Sequence, residues 1–305
     1  MSCLILAQIP PPELHSRLAQ GRLALQVGPF RFSVTSPFAS VAAGMATLYP
    51  DFELAAEDEF VDFHVSVAPP AGVRRWVRPQ ANFSFDGRVP FKPLPANQAM
   101  PMLEWGLNWV ITNYAHQYLI LHAAVVERNG QAMILPAPPG SGKSTLCAGL
   151  VNRDWRLLSD ELALIRLTDG LIIPISRPIS LKNRSIELVR KLGKDVVVSQ
   201  ACADTGKGTV AHMRPPTESV RRMTEPARPA WVVFPQFIPS SELTCEARGK
   251  STALVELVHN AFNYNLLGLA GFNALSNLVE ACDIHRMTYG NLEQAYTAID
   301  TLTRG

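Results

Sequence analysis

Charge of one sign is in short supply in this chain of 305 residues: 28 Lys+Arg stand against 26 Asp+Glu, a formal net charge of +2. That balance argues against a dedicated nucleic-acid binder, whose phosphate contacts need a clear basic excess. Cysteine is sparse as well. Cys3, Cys147, Cys202, Cys245 and Cys282 are far apart and form no CxxC pair. This excludes a disulfide framework and a zinc ribbon and points to free thiols in a reducing compartment. Long apolar runs are missing. The stretches around 105–126 and 252–281 are broken by Asn, His, Gln and Glu, short of the roughly 18 uninterrupted apolar residues a membrane span requires. No basic segment precedes the short apolar run near residue 4, so no signal peptide is expected. Internal repeats and low-complexity tracts are absent.

What is present is a core-forming composition: 47% hydrophobic and only 18% charged residues. That excludes wholesale disorder and fits one large domain or two ordinary ones in the cytoplasm. Twenty-four prolines suit fixed loops and strand ends better than a helical bundle.

Residues 21–35 alternate apolar and polar around Gly28-Pro29 and predict a β-hairpin; 59–68 predict another strand. Short strand-like pieces surround Asp86-Gly87, and 97–117 carry helical spacing at Leu103, Leu107, Val110 and Ile111. Residues 1–115 therefore predict a small β-rich N-terminal domain closed by a helix, with no chemistry legible in it. In the remainder, 116–305, two apolar runs flank Asn129-Gly130, a strong hairpin signal. The second run leads into a Gly-rich loop and a helix at 143–153. An unbroken strand is expected over 156–165, and another after Thr168-Asp169-Gly170. Residues 180–194 predict partial helix. Residues 199–228 predict a long, weakly periodic loop of the kind that is often functional. Two strands within 230–247 and helices over 251–282 and 290–303 complete the chain.

The chemistry lies in Ala137-Pro138-Pro139-Gly140-Ser141-Gly142-Lys143-Ser144, a phosphate-binding loop with Ala at the first Gly position. Gly140 and Gly142 let backbone N–H groups turn toward an anion, and the following helix adds its positive end. Lys143 can reach the β- and γ-phosphates, and Ser144 can offer its hydroxyl to Mg²⁺. The stretch from Ala137 to Thr145 is thus the expected seat of Mg-ATP. The acidic pair Asp160-Glu161 follows in the next predicted strand. One carboxylate can coordinate Mg²⁺ and the other can accept the proton of an attacking hydroxyl. His122, alone among apolar neighbours, reads as an ordinary core histidine by spacing.

Taken together, His122-Ala-Ala-Val-Val, the loop ending in Gly142-Lys143-Ser144, and Leu157-Leu158-Ser159-Asp160-Glu161 resemble the HPr kinase/phosphorylase family. The likeness is greatest to its branch called HPr-kinase-related kinase A. The resemblance covers roughly 119–282. It implies an α/β (or α+β) P-loop kinase core of the HPr kinase/phosphoenolpyruvate carboxykinase type, with a mixed sheet. It implies ATP and Mg²⁺ as cofactors and a serine on a small protein or peptide as phospho-acceptor, and it leaves a homo-oligomer open. By the same resemblance His122 belongs near the phosphates, Lys143 and Ser144 take the family's phosphate and metal roles, and Asp160 and Glu161 match its consecutive carboxylates. Which of the two is the base stays open, because the second is Glu here. Glu187 matches a further metal-binding Glu only with a small insertion. The family's catalytic arginine has no counterpart; Arg248, Arg214 and Lys207 are stand-ins to weigh. Phosphorolysis is not implied. The rival readings are a small-molecule kinase related to carboxykinases and a catalytically inactive, nucleotide-regulated binding module.

Overall fold

The computed structural model describes residues 4–56, 59–72, 75, 77–138 and 140–303. The described strands form three sheets, and the chain mixes helix and strand throughout.

The first sheet follows the order β1 (Ala24–Val27), β2 (Phe30–Thr35), β3 (Phe63–Ala68), β4 (Gln80–Phe85), β5 (Leu94–Pro95). β1 and β2 form the expected hairpin, and the turn after β4 carries Asp86 and Gly87 at positive φ. Burial alternates along β2 and β4, so one face, rich in Phe30, Phe32, Phe83 and Phe85, is turned to a core. Three helices cover it: α1 (Pro11–Ala19), α2 (Ala39–Leu48) and α3 (Ala99–Tyr114). The prediction of a single closing helix is thereby corrected. α2 lies between β2 and β3 and allows them to pair in parallel, which a tight hairpin cannot do. Its buried Val41, Met45 and Leu48 recur at helical spacing, a signal masked by uniformly apolar neighbours.

The second sheet runs β10–β9–β6–β7–β14–β16–β15, with β8 also pairing β6. The ranges are β6 Tyr118–Arg128, β7 Gln131–Pro136, β8 Arg156–Ser159, β9 Leu162–Arg166, β10 Ile172–Ile173, β14 Arg228–Phe237, β15 Thr244–Ala247 and β16 Asp283–Tyr289. β14 is parallel to both β7 and β16, whereas the other pairs are antiparallel, so the sheet is mixed. Asn129 and Gly130 both take positive φ in the β6–β7 turn, as that dipeptide predicts. On one face pack α4 (Lys143–Val151), α5 (Arg184–Arg190) and α10 (Leu292–Thr303). On the other pack α7 (Lys250–His259) and α9 (Leu269–Ala281), joined by the short α8 (Tyr264–Leu267). The helix expected over 251–282 is therefore broken twice, around Asn260–Asn263 and at Gly268, whose φ is +54°. β16, a strand with no clean alternation, carried no sequence signal.

The third sheet has the order β11–β13–β12 (Ile179–Lys182, Gly208–Met213, Cys202–Thr205) and is antiparallel. With α6 (Thr217–Arg221) it replaces the long loop expected over 199–228. The turn between β12 and β13 is closed locally: Thr205 Oγ1 donates to the Gly208 carbonyl at 2.6 Å and accepts from the Lys207 N–H at 3.0 Å.

The core under the first sheet also takes in Ile120, Leu162, Leu164, Ile175, Val220 and Met223. The first 115 residues thus share packing with the large sheet. Among the described residues no helix is long and apolar enough to cross a membrane. Cys3 lies outside the described residues; the other four cysteines are free.

Candidate functional site

The phosphate-loop residues leave β7 at its end and enter α4 at Lys143. Gly140 and Gly142 sit at φ +90° and +89°, a conformation that costs any other L-residue strain. At Gly142 a Cβ would also come within 2.7 Å of Tyr289 Oη and 2.8 Å of Phe237 Cβ. Pro139 lies outside the described residues. Ala137, Pro138, Ser141, Ser144 and Thr145 line the turn and the first turn of α4. Lys143 is 7% exposed, yet its Nζ has no partner; Ser141 Oγ is buried and unpartnered too. A buried, unpaired ammonium is costly, and the two atoms could together hold an anion.

Asp160 and Glu161 do not lie inside one strand. β8 and β9 both pair with β6 in a shared register, Ser159 opposite Val125 and Leu162 opposite His122. The two acids form a bend between them. This corrects the unbroken strand expected over 156–165, and it matters chemically. Neighbours within a strand point to opposite faces, but the bend lets both acids line one pocket with Ser180, Arg177, Glu104 and His212.

Asp160 is buried. Its Oδ2 accepts from Ser144 Oγ at 3.1 Å and from the Ser180 N–H at 2.9 Å, while Oδ1 has no partner. Burial and the neighbouring Glu161 charge push its carboxyl up to about 7, against Lys143 and the two hydrogen bonds. Glu161 goes the other way. Burial works against its ionisation, but the hydrogen bond with His122 and the charges of Lys143, His122 and Lys182 hold it at about 2. His122 Nε2 lies 3.2 Å from Glu161 Oε2, both side chains about a quarter exposed. The His122 backbone N–H is anchored to the Asn260 carbonyl at 2.7 Å, and its ring meets Phe262.

The structure therefore brings together Lys143, Ser144, Asp160, Glu161 and His122. It does not bring Glu187, which is exposed on α5, ion-paired with Arg190 at 2.8 Å, and absent from the pocket lining. Arg248 is held by Glu256, which also binds Arg286. Lys207 lies with its Nζ 4.8 Å from the Trp105 ring centroid, at the pocket's edge.

The α3 side of the pocket's far wall and Arg177 were not read from the sequence. α3 contributes Glu104, Trp105 and Asn108; β13 contributes His212; Arg177 comes from the segment before β11. Arg177 donates to Asn108 Oδ1 at 2.6 Å and to Glu104 Oε2 at 2.5 Å, and Tyr49 donates to Glu104 Oε1 at 2.6 Å. One signal was available. Glu104 and Asn108 are polar residues four apart on one face of a largely apolar helix.

Ser144 and the free oxygen of Asp160 fit a hard cation. Mg²⁺ commonly takes one or two carboxylates and completes its shell with phosphate and water. Among the described residues no group of three or more His, Cys, Asp or Glu gathers to hold a metal alone.

Residues 96–170 match the family described as SynChlorMet cassette protein ScmC. That is about a quarter of the chain, and it runs from the start of α3 through β9. It includes α3, His122, the phosphate loop and the acidic pair. No curated protein matches the chain.

Proposed function

We propose that this protein is a cytoplasmic ATP-dependent kinase with a P-loop core of the HPr kinase/phosphoenolpyruvate carboxykinase type, similar to HPr-kinase-related kinase A. It transfers the γ-phosphate of Mg-ATP to a hydroxyl, by that resemblance a serine of a small protein or peptide. One observation carries the reading. A buried lysine with no partner and a buried aspartate with one free oxygen stand on either side of Ser144, at the start of a helix. A P-loop without a ligand has no physical need for either orphan.

In this reading the backbone around Gly140–Gly142 and Lys143 Nζ hold the β- and γ-phosphates. Ser144 and Asp160 would hold Mg²⁺, which would neutralise charge on the phosphate oxygens. The raised Asp160 carboxyl suits a group that is costly to ionise until a cation arrives. Glu161 takes the acceptor side. Its low carboxyl stays ionised, and His122 on Oε2 fixes its orientation. Oε1 is left to orient the acceptor hydroxyl and take its proton as the new O–P bond forms and the bond to ADP breaks. A strong base is not required, because the transition state is largely dissociative.

The test is phosphate transfer from γ-labelled ATP with Mg²⁺ into a native lysate, beside Lys143→Ala. A labelled protein band made by the wild type and lost in the variant is expected. Label only in small molecules would favour the metabolite-kinase reading. Nucleotide binding without any transfer would favour the regulatory module.

A further inference from the structure

The proposed transfer needs positive charge around the migrating phosphoryl beyond Lys143, and the resemblance supplies no arginine for it. Two lysines from the third sheet stand near enough to Glu161 for the charges to act on one another. Ser180 and Lys182 are two apart on β11 and so share a face; the Ser180 N–H binds Asp160 Oδ2, and Ser180 lines the pocket. Lys207 occupies the turn between β12 and β13 and reaches back over Trp105, another pocket residue. Among the described residues Lys143, Lys182 and Lys207 have no ion-pair partner. Of the described lysines only Lys250 is ion-paired, with Glu280, so what sets Lys182 and Lys207 apart is their place beside the pocket residues Ser180 and Trp105.

The hairpin that carries Lys207 is tied to the N-terminal part of the chain. Gln98 Nε2 donates to the Asp204 carbonyl at 3.1 Å, and Cys202 Sγ to the Asn97 carbonyl at 3.5 Å. Trp105 adds a cation–π contact, which fixes a flexible ammonium without neutralising it. A carboxylate in that position would cancel the charge a phosphoryl group needs. Burial and the neighbouring Lys182 lower the Lys207 ammonium, and Glu161 opposes them. The two lysines and the acid thus sense one another across the same space.

We infer that Lys182 and Lys207 are the cations that stabilise the transferring phosphoryl group, with Trp105 as the positioning residue that holds Lys207. The first 115 residues would then complete the catalytic centre through α3. This inference rests on the kinase reading, and the experiment separates the two. Calorimetry would compare affinity for Mg·ADP with affinity for Mg·ADP–fluoroaluminate, a mimic of the phosphoryl in flight, so no acceptor is needed.

Lys207→Met and Lys182→Met are each expected to weaken the fluoroaluminate complex by roughly tenfold or more, with Mg·ADP changed less than about twofold. Lys207→Arg should restore most of the loss. Trp105→Ala should lose part of it and Trp105→Phe little, with melting temperatures checking that each variant folds. Wild-type affinities for the mimic in both lysine variants, or an equal loss for both ligands, would overturn the inference while leaving the kinase reading intact. A wild type that binds neither ligand would remove the kinase reading and this inference with it.

Discussion

Two buried charged clusters of this protein differ in one respect. Around Glu127 everything is satisfied. Arg156 binds it through Nε and donates its other nitrogens to the carbonyls of Arg222 and Glu225, while the Gly130 N–H takes Glu127 Oε1. Around Asp160 burial is just as deep, but Lys143 Nζ and Asp160 Oδ1 have no partners. Paired charges of the first kind hold elements together and present nothing to a ligand. Unpaired charges of the second kind are kept at a cost in stability, which is how binding sites are commonly maintained. Burial alone does not tell the two apart; hydrogen-bond satisfaction does.

Removing a member of the satisfied cluster sharpens the contrast most. Glu127→Gln leaves buried Arg156 with only the exposed Glu225 carboxylate, 3.8 Å away, as counter-charge and should cost about 3 kcal/mol of stability, read by denaturant unfolding, with nucleotide affinity of the folded protein unchanged. A stability loss below about 1 kcal/mol would break the comparison.

Gly142→Ala comes next. It forces a Cβ onto a residue at φ +89° and toward Tyr289, for an expected cost of about 1–3 kcal/mol. Gly140→Ala shares the φ but meets nothing within 4 Å, so it should cost less in the same unfolding assay.

The smallest effect has the opposite sign. Asp160 has a folded-state value near 7, raised above its unfolded one. Its contribution to stability is therefore fully present in acid and is lost as pH rises through about 7. Without nucleotide, Asp160→Asn should melt a few degrees above the wild type at pH 8, and the advantage should vanish by pH 4. Glu161, held low, contributes stability that begins to be lost as pH falls below its ordinary value of 4.5, but it is present in both proteins. His212, lowered by burial, loses its contribution as pH falls, but it is present in both proteins and cancels in the difference. A melting difference that does not change with pH would show that Asp160 carries no such cost.

Legibility in the sequence follows the range of the interaction. The β6–β7 turn, the phosphate loop and α4 are encoded within a few contiguous residues, so Asn129-Gly130 and Gly140 to Ser144 announce themselves. The hairpin at Lys207 was hidden, because its strands are held by pairing with β11 and by contacts to Asn97 and Gln98, more than a hundred residues distant in the case of Gln98 and Asp204. Glu187 matched a motif by order along the chain, yet α5 turns it to solvent and Arg190 claims it. Likewise, nothing local reveals that Asp160 and Glu161 share a pocket; that follows from a bend opposite β6.

By itself, then, the sequence determined a mixed α/β chain, a glycine-rich loop entering a helix, and an acidic pair after it. Each rests on backbone preferences and periodicities that neighbouring residues settle among themselves. Only the tertiary structure decided which charges are paired and which stay unpaired. It set Asp160 beside Ser144 and Glu161 beside His122, and closed the pocket with Glu104 and Arg177, 73 residues apart. Satisfaction of a buried charge depends on partners that the chain brings together only once the sheets have packed.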